Sequence, residues 1–189
     1  MGTYVEASGE RVDMSEAKEV WVPFARESLL RAARTYNSYV SYGELAEELQ
    51  SKSGVRTRQL IHYWVGKVLG AVSIDCYRLD EPLLSSLCVQ KNGSVGAAFG
   101  SALDETYGGP RPDDLDLAAA DERLKCYIHF GAQIPEDGGS PVLTPMLAAT
   151  RSRRAATARR TRSAIEDERK VCPLCCVRLP SSGVCGSHE

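Results

Sequence analysis

Residues 39–49 of this 189-residue chain read Tyr39-Val-Ser41-Tyr-Gly-Glu44-Leu-Ala-Glu-Glu-Leu49. Ser41 and Glu44 have the spacing of a capping box, in which each side chain accepts a hydrogen bond from the other residue's backbone amide. The pair therefore predicts that a short helix begins at Tyr42. A loop over Ser51-Lys-Ser-Gly54 is expected to follow it.

Two longer helices are predicted on either side of this short one. The first runs from Ser15, read as its N-cap, to about Tyr36, with apolar residues at helical spacing: Val20, Trp21, Phe24, Leu29, Leu30 and Ala33. The other runs from about Arg56 to Arg78. At about 100° per residue, its apolar face comprises Leu60, Ile61, Trp64, Val65, Val68, Leu69 and Val72. Its opposite face comprises Arg58, Gln59, His62, Tyr63, Gly66 and Lys67.

A β-hairpin is predicted after the third helix. The apolar runs 83–89 and 95–99 flank the sequence Lys91-Asn92-Gly93-Ser94. Asn-Gly favours the left-handed dihedral angles of a type I′ turn, which joins antiparallel strands. The expected fold class is therefore mainly α with a small β-hairpin, arranged as a winged helix-turn-helix-like domain.

The string Tyr42-Gly-Glu-Leu-Ala46, together with the hairpin, resembles the DNA-binding half of alkylguanine-DNA alkyltransferases and of the related alkyltransferase-like proteins. This resemblance covers about residues 39–99 and implies DNA binding. It does not extend to the reaction, because the family's reactive cysteine lies in a Pro-Cys-His-Arg string. The nearest match here, Asp75-Cys76-Tyr77-Arg78, lacks the histidine that would help to form a thiolate. Alkyl transfer is therefore not expected.

A winged fold would place the start of the third helix in the major groove of DNA. Its candidate contacts with base edges or phosphates are Arg56, Thr57, Arg58, Gln59, His62, Tyr63 and Lys67, with Lys91 and Asn92 reaching the backbone from the hairpin tip. Gly66 is small enough to permit close approach. The alternative interpretation is an ordinary solvated helix face, since any surface helix has polar residues on its outer side.

Two further helices are expected in the second half of the chain. One runs from Asp113 to Phe130, buries Leu117, Leu124 and Ile128, and contains a Cys126-x-x-His129 pair interpreted as core. The other begins at Thr144-Pro145 and continues to Lys170 through an Ala- and Arg-rich stretch with few large apolar residues. Asp113, Asp114 and Asp116 lie together at the start of the earlier helix, where the helix dipole accounts for them without a nuclease site.

Basic charge is concentrated near the C-terminus. Residues 151–189 contain nine Lys/Arg and four Asp/Glu, a net charge of +5, which leaves −7 for residues 1–150. Such a segment is typical of an arm that binds a polyanion by releasing counterions. Its candidate phosphate contacts are Arg153, Arg154, Arg159, Arg160 and Arg162. An Arg-rich Ala helix that serves only as a linker is the alternative.

The last eighteen residues contain two pairs of metal-ligand residues. Cys172 and Cys175 are separated by two residues, as are Cys185 and His188, and nine residues lie between the pairs. This spacing is that of one closed, structural, four-ligand Zn²⁺ site, which leaves no position for a catalytic water. Two alternatives are a flexible tail of reducible thiols and a site in which Cys176 replaces one of these ligands.

These features divide the chain into five segments: a disordered lead-in (1–14), a winged-helix-like domain (15–103), a helical extension packed on it (104–143), a basic helix or linker (144–170) and a zinc knuckle (171–189). No apolar run is long enough to span a membrane, and seven cysteines in this arrangement favour a reducing, cytoplasmic compartment. The expected function is DNA binding, regulatory or accessory to DNA processing, without catalysis. A protein-interaction adaptor and a nuclease component are the alternatives, and the sequence does not determine the oligomeric state.

Overall fold

The computed structural model describes residues 2–108 and 112–168, followed by 171–172, 174–177, 179, 183 and 185–186. The described part of the chain is mainly helical, with a small antiparallel sheet. Its elements, in chain order, are β1 (Thr3–Val5), β2 (Arg11–Val12), α1 (Met14–Ala33), β3 (Val40–Ser41), α2 (Tyr42–Ser53), β4 (Val55–Thr57), α3 (Ile61–Arg78), a 3-10 turn (Leu84–Leu87), β5 (Cys88–Val89), α4 (Ala97–Tyr107), α5 (Leu115–His129) and α6 (Pro145–Glu168).

The chain divides into two compact units, residues 1–147 and 148–189. The predicted segments 15–103 and 104–143 therefore lie within one unit. Its core is organised around Trp21 of α1 and Trp64 of α3, whose ring centroids are 4.4 Å apart. The indole Nε1 of Trp21 donates to Ser53 Oγ at 3.1 Å and to the Val55 carbonyl at 3.3 Å, so this buried aromatic side chain also fixes the end of α2.

The capping box at Ser41 and Glu44 is confirmed. The Glu44 amide donates to Ser41 Oγ at 3.2 Å, and the Ser41 amide donates to Glu44 Oε2 at 2.8 Å. At the other end of α2, Gly54 adopts a φ of +67°, a conformation that costs glycine little and turns the chain out of the helix. These two signals set both ends of α2.

Residues 3–14 are ordered, so the prediction of a disordered lead-in is wrong for them. β1 pairs antiparallel with β2 on one side and with β4 on the other, in the order β2-β1-β4. Thr3 is buried, and Val5 and Val12 pack against the core. α1 then begins at Met14 with Asp13, rather than Ser15, as its N-cap. One of the two pairing partners of β1, the strand β4, lies about fifty residues away along the chain, so local sequence does not reveal that pairing.

The third helix begins later than predicted. α3 starts at Ile61 instead of Arg56, because residues 55–57 form β4 and pair with β1. The apolar face of α3 is buried from Trp64 onward, but Leu60 and Ile61 are 62% and 42% exposed. The first positions of the predicted apolar face therefore lie on the surface.

The predicted β-hairpin is wrong. Residues 84–87 form a 3-10 turn, β5 pairs in parallel with β3, and residues 97–107 form α4 instead of a second hairpin strand. The turn at the centre is real: the Gly93 amide donates to the Gln90 carbonyl at 2.8 Å, with Gly93 at a φ of +84°. All residues from Leu83 to Val89 are buried, which is not the alternation of a hairpin with one exposed face.

The buried face of α5 also differs from the prediction. Leu117 and Ile128 are 50% and 54% exposed, whereas the residues that α5 buries are Ala119, Ala120, Glu122, Arg123, Cys126 and Tyr127. The carboxylate of Glu122 accepts from the Leu83 amide at 2.8 Å and from Tyr107 Oη at 2.6 Å. Glu122 is buried because these donors replace water around it.

A cluster centred on Glu48 joins α1 and α2 and makes stability depend on pH. Burial disfavours the charged carboxylate, but hydrogen bonds from Ser28, Arg31 and Lys52 outweigh this and lower the pKa of Glu48 to about 2. An unfolded glutamate has a pKa of about 4.3. The ionised side chain therefore stabilises the fold above about pH 5, and this stabilisation is lost as the pH falls towards 2.

We expect Glu48→Gln to lower the free energy of unfolding by about 1 kcal/mol at pH 7. Urea unfolding at pH 7, 5, 4 and 3 measures this, and the difference from the unsubstituted chain should shrink as the pH falls below 5. Glu19→Gln is the control, since Glu19 is an exposed residue of the same α1 helix. A difference that stays constant over this pH range would contradict the assignment to Glu48.

Candidate functional site

The loop before α3 and the first turns of that helix form a contiguous exposed surface. We call it the α3 surface; its members are Arg58, Gln59, Leu60, Ile61, His62, Tyr63 and Lys67, all of them exposed. The His62 and Tyr63 rings lie 4.3 Å apart between centroids, and the Arg58 guanidinium lies 5.8 Å from the centre of the Tyr4 ring. Neither Arg58 nor Lys67 forms an ion pair with a described residue. The surface thus presents several large apolar side chains and two positive charges that no described acidic residue neutralises.

Arg56 and Thr57, also predicted as DNA contacts, are engaged within the protein. Arg56 Nε lies 2.9 Å from a Glu6 oxygen, and its Nη1 lies 3.6 Å from a Glu47 oxygen. Thr57 Oγ1 accepts a hydrogen bond from Thr3 Oγ1 at 3.2 Å. Both residues belong to β4 and stabilise the small sheet. Their side chains are therefore not free to contact DNA beside the α3 surface.

Gly66 lies against α4 rather than on an open face. A Cβ atom at this position would meet the Ala98 side chain at 3.7 Å, so the close approach that glycine permits here is the approach of another helix. Lys91 and Asn92 are exposed, but they lie in the turn before α4 and not at the tip of a hairpin. Asn92 Oδ1 accepts from the Ser94 amide at 3.1 Å and helps to hold this turn.

The α6 helix begins in the first unit and continues through the second, where it has a strongly basic segment. Residues 152–162 are exposed, and the candidate phosphate contacts Arg153, Arg154, Arg159 and Arg160 form no ion pair with any residue whose side chain the structure describes. Arg162 lies on the same segment. Thr157 and Thr161 donate their hydroxyl groups to carbonyls one turn earlier, so these side chains are satisfied within the helix. The segment is therefore a cationic helix without an apolar face.

Three cysteines of the tail form a candidate metal centre. The Sγ atoms of Cys172, Cys175 and Cys185 all lie within 4.8 Å of one another, and the Cys175–Cys185 pair is 3.5 Å apart. Sulfur ligands at about 2.3 Å from a tetrahedral ion would be about 3.8 Å apart. These three thiols can therefore hold a metal ion. His188, the predicted fourth ligand, lies outside the described residues.

A tight backbone turn brings the first two cysteines together. The Cys176 amide donates to the Cys172 carbonyl at 2.9 Å, and the Cys172 amide donates to the Val177 carbonyl at 2.8 Å. Cys176 is exposed and has a φ of +56°, and it is not part of the cluster. The alternative in which Cys176 replaces Cys172, Cys175 or Cys185 is therefore not favoured by this geometry.

The thiols of the cluster differ in acidity. Backbone amides of Cys175 and Leu174 lower the pKa of Cys172 to about 7. The Val177 amide acts in the same direction on Cys175, but partial burial and the neighbouring thiols of Cys185 and Cys172 outweigh it and raise the pKa of Cys175. Metal binding requires thiolates, so occupation of this centre would release protons and depend on pH.

The other candidate reactive groups have structural roles. Burial raises the pKa of the Cys76 thiol, in spite of Arg26 Nη1 at 3.9 Å, so this cysteine is not an activated nucleophile. Cys126 is buried beside Ser86, as predicted, whereas His129 is exposed, contrary to its interpretation as core. Asp114 caps α5 by accepting from the Asp116 and Leu117 amides, and Asp116 accepts from Ser94 and Val95.

Sequence reasoning missed two features of the structure, the exposed start of α3 and a buried arginine in α5. The exposure of Leu60 and Ile61 depends on where α3 begins, which the pairing of β4 with β1 determines. The burial of Arg123 depends on carbonyls of two distant segments, Ser86 and Val142. The only local feature that points to the burial of Arg123 is its position among buried residues of α5, next to Glu122.

No protein family, curated protein or solved structure matches this chain. Among the described helices, none combines the length and apolar character needed to cross a membrane.

Proposed function

We propose that this chain is a DNA-binding protein, regulatory or accessory to DNA processing, that contacts DNA through the α3 surface and the basic segment of α6. The proposal rests on a set of cations that form no ion pair within the described part of the chain. They are Arg58 and Lys67 in the first unit, and Arg153, Arg154, Arg159 and Arg160 in the second. Cations that are not neutralised within the protein are available to phosphates, and their binding releases counterions from DNA.

The two contact regions have different roles in this proposal. α2 and α3 contact each other and are joined through β4, an arrangement that supports a helix-turn-helix-like placement of the start of α3 in the major groove. Arg58 can pair with guanine and Gln59 with adenine, while Tyr63 and His62 offer rings and donors beside them. Lys91 remains a candidate backbone contact. The α6 arginines supply affinity that does not depend on sequence.

We further propose that Cys172, Cys175, Cys185 and His188 hold one structural zinc ion. The separations among the three described thiols, and the tight turn that joins the first two, support this assignment. Four protein ligands leave no open position, so the ion orders the tail and does not activate water. In this proposal the chain has no catalytic activity of its own.

The test of the α3 surface is a comparison of two arginine variants. We expect Arg58→Ala to reduce discrimination between preferred and random duplexes by roughly 5- to 150-fold, which corresponds to about 1–3 kcal/mol for a bidentate base contact. Arg78→Ala is the matched control, because Arg78 is exposed at the C-terminal end of α3, away from the α3 surface, and pairs with Asp75 at 3.9 Å. Duplexes selected from a random pool and measured by fluorescence anisotropy give both values.

An adaptor that binds another polypeptide is the second candidate function. It is favoured by the exposure of Leu60 and Tyr63, each 62%, on the α3 surface. The same experiment separates the two functions. If Arg58→Ala and Arg78→Ala bind every duplex as the unsubstituted chain does, and binding is weak at low salt, the DNA proposal is wrong and the adaptor becomes the better interpretation.

A further inference from the structure

Arg123 of α5 is a buried cation that forms no ion pair with a described residue. Its residue is only 4% exposed. Its Nη1 donates to the Ser86 carbonyl at 3.1 Å and its Nη2 to the Val142 carbonyl at 3.1 Å. A guanidinium has five N–H donors, so three of them make no hydrogen bond to a described protein atom. Two neutral carbonyls solvate the guanidinium but do not neutralise it, although a buried charge is ordinarily paired with an opposite one.

Acidic groups of the surrounding elements do not supply this partner. Asp116, at the start of α5, acts on Arg123 through space, but its carboxylate accepts hydrogen bonds from Ser94 and Val95. Glu122, the preceding residue, is bonded to Leu83, Tyr107 and Lys125. Burial lowers the pKa of Arg123, but an arginine stays charged at any physiological pH. The uncompensated charge is therefore a persistent feature of this site.

Arg123 lines a cavity of about 290 Å³ within the first unit. The rest of the wall is largely apolar and aromatic, with Tyr39, Leu124, Tyr127, Val142 and Leu143 among its residues. The hydroxyl of Tyr127 is bonded to the Ser38 carbonyl at 2.7 Å, so this residue presents its ring rather than a free polar group. Thr144 and Pro145, at the start of α6, close one side, and a helix N-terminus has a positive potential.

We infer that this cavity is a binding site for a small organic carboxylate, with Arg123 as the anion-binding group and the apolar wall holding the body of the ligand. One guanidinium neutralises one carboxylate, and its fork of N–H groups matches the two carboxylate oxygens. A single buried cation in an apolar wall suits a monoanion with an apolar body better than a multiply charged phosphate. The volume is at the lower limit of small-molecule sites, which favours a ligand of one ring or a short chain.

The test uses benzoate and hexanoate as probes, with benzamide as the neutral counterpart of benzoate and inorganic phosphate as a second anion. Isothermal titration calorimetry on the full chain should show at least one of the two carboxylates binding, and benzoate binding at least tenfold more tightly than benzamide. Arg123→Met should weaken carboxylate binding at least tenfold. Arg78→Met, which removes an exposed arginine outside the cavity, should leave it unchanged.

A second variant covers the case in which Arg123→Met fails to fold. Val142→Trp changes a residue of the cavity wall that is 43% exposed, and it keeps Arg123 while filling the space beside it. It should also weaken carboxylate binding at least tenfold. The inference is overturned if neither carboxylate binds at about 10 mM, if benzamide binds as tightly as benzoate, if phosphate binds more tightly than both carboxylates, or if binding survives both variants. None of these outcomes depends on whether the chain binds DNA.

Discussion

Cys175→Ser should abolish the binding of about one zinc ion per chain, whereas Cys176→Ser should leave it intact. The Sγ of Cys175 lies within 4.8 Å of the Sγ atoms of Cys172 and Cys185, and Cys176 is exposed and outside the cluster. A serine hydroxyl is a much poorer zinc ligand than a thiolate, and sites of this kind bind zinc with roughly 10–16 kcal/mol of apparent free energy. Loss of one ligand should therefore be visible as loss of nearly all bound metal.

Metal analysis of the two purified variants, made and dialysed in parallel, measures this difference. The pair is closely matched, because the substitutions are chemically identical and the positions adjacent. Cys172→Ser and Cys185→Ser should behave like Cys175→Ser. His188→Gln tests the fourth ligand, whose position lies outside the described residues. Zinc that is retained by Cys175→Ser and lost from Cys176→Ser would show that the ligand set is wrong.

Removal of the metal should affect the second unit and leave the first one folded. Residues 1–147 have a core of their own around Trp21 and Trp64, whereas the cysteine turn in the tail has few apolar residues to bury. Tryptophan fluorescence reports on the first unit alone, since both tryptophans of the chain lie there. We expect its thermal transition to be unchanged by a chelator, while susceptibility of the tail to proteolysis increases.

Local signals in the sequence predicted local structure well. Ser41 and Glu44 lie three residues apart and cap the helix as expected, and Thr144-Pro145 correctly marks the start of α6. The spacing of Cys172 and Cys175 likewise predicted two thiols that lie together. In each case the interacting groups are within a few residues of one another. Their geometry is therefore determined by the chain segment itself.

The errors arose where a segment's partner is distant in sequence. Asn92-Gly93 indeed makes a turn, but the residues before it pair with β3, about fifty positions earlier, instead of with the residues after it. The same applies to β1, whose pairing with β4 delays the start of α3 and exposes Leu60 and Ile61. Buried charges such as Arg123 are the hardest case, because their sequence signature is that of a surface residue.

Replacing Arg153, Arg154, Arg159 and Arg160 together with glutamine should weaken binding to every duplex to the same extent. Each phosphate contact contributes about 0.9 to the slope of log K against log salt concentration, so loss of four contacts should reduce that slope by up to about 3.6. Near about 0.1 M salt this corresponds to a loss of affinity on the order of 100- to 1,000-fold. Glutamine has nearly the helix propensity of arginine, so α6 should persist.

The matched control replaces the same four positions with lysine. Lysine keeps the positive charge but not the planar guanidinium, so this variant should retain most of the salt slope if α6 acts through counterion release. Fluorescence anisotropy with a selected and a random duplex, at several salt concentrations, gives affinity, slope and discrimination together. The α6 cations and the α3 surface lie on separate units. The glutamine variant should therefore keep the ratio of the affinities for the selected and the random duplex, whereas Arg58→Ala should reduce that ratio. A glutamine variant with an unchanged slope would remove α6 from the interface and leave the α3 surface as the only proposed contact.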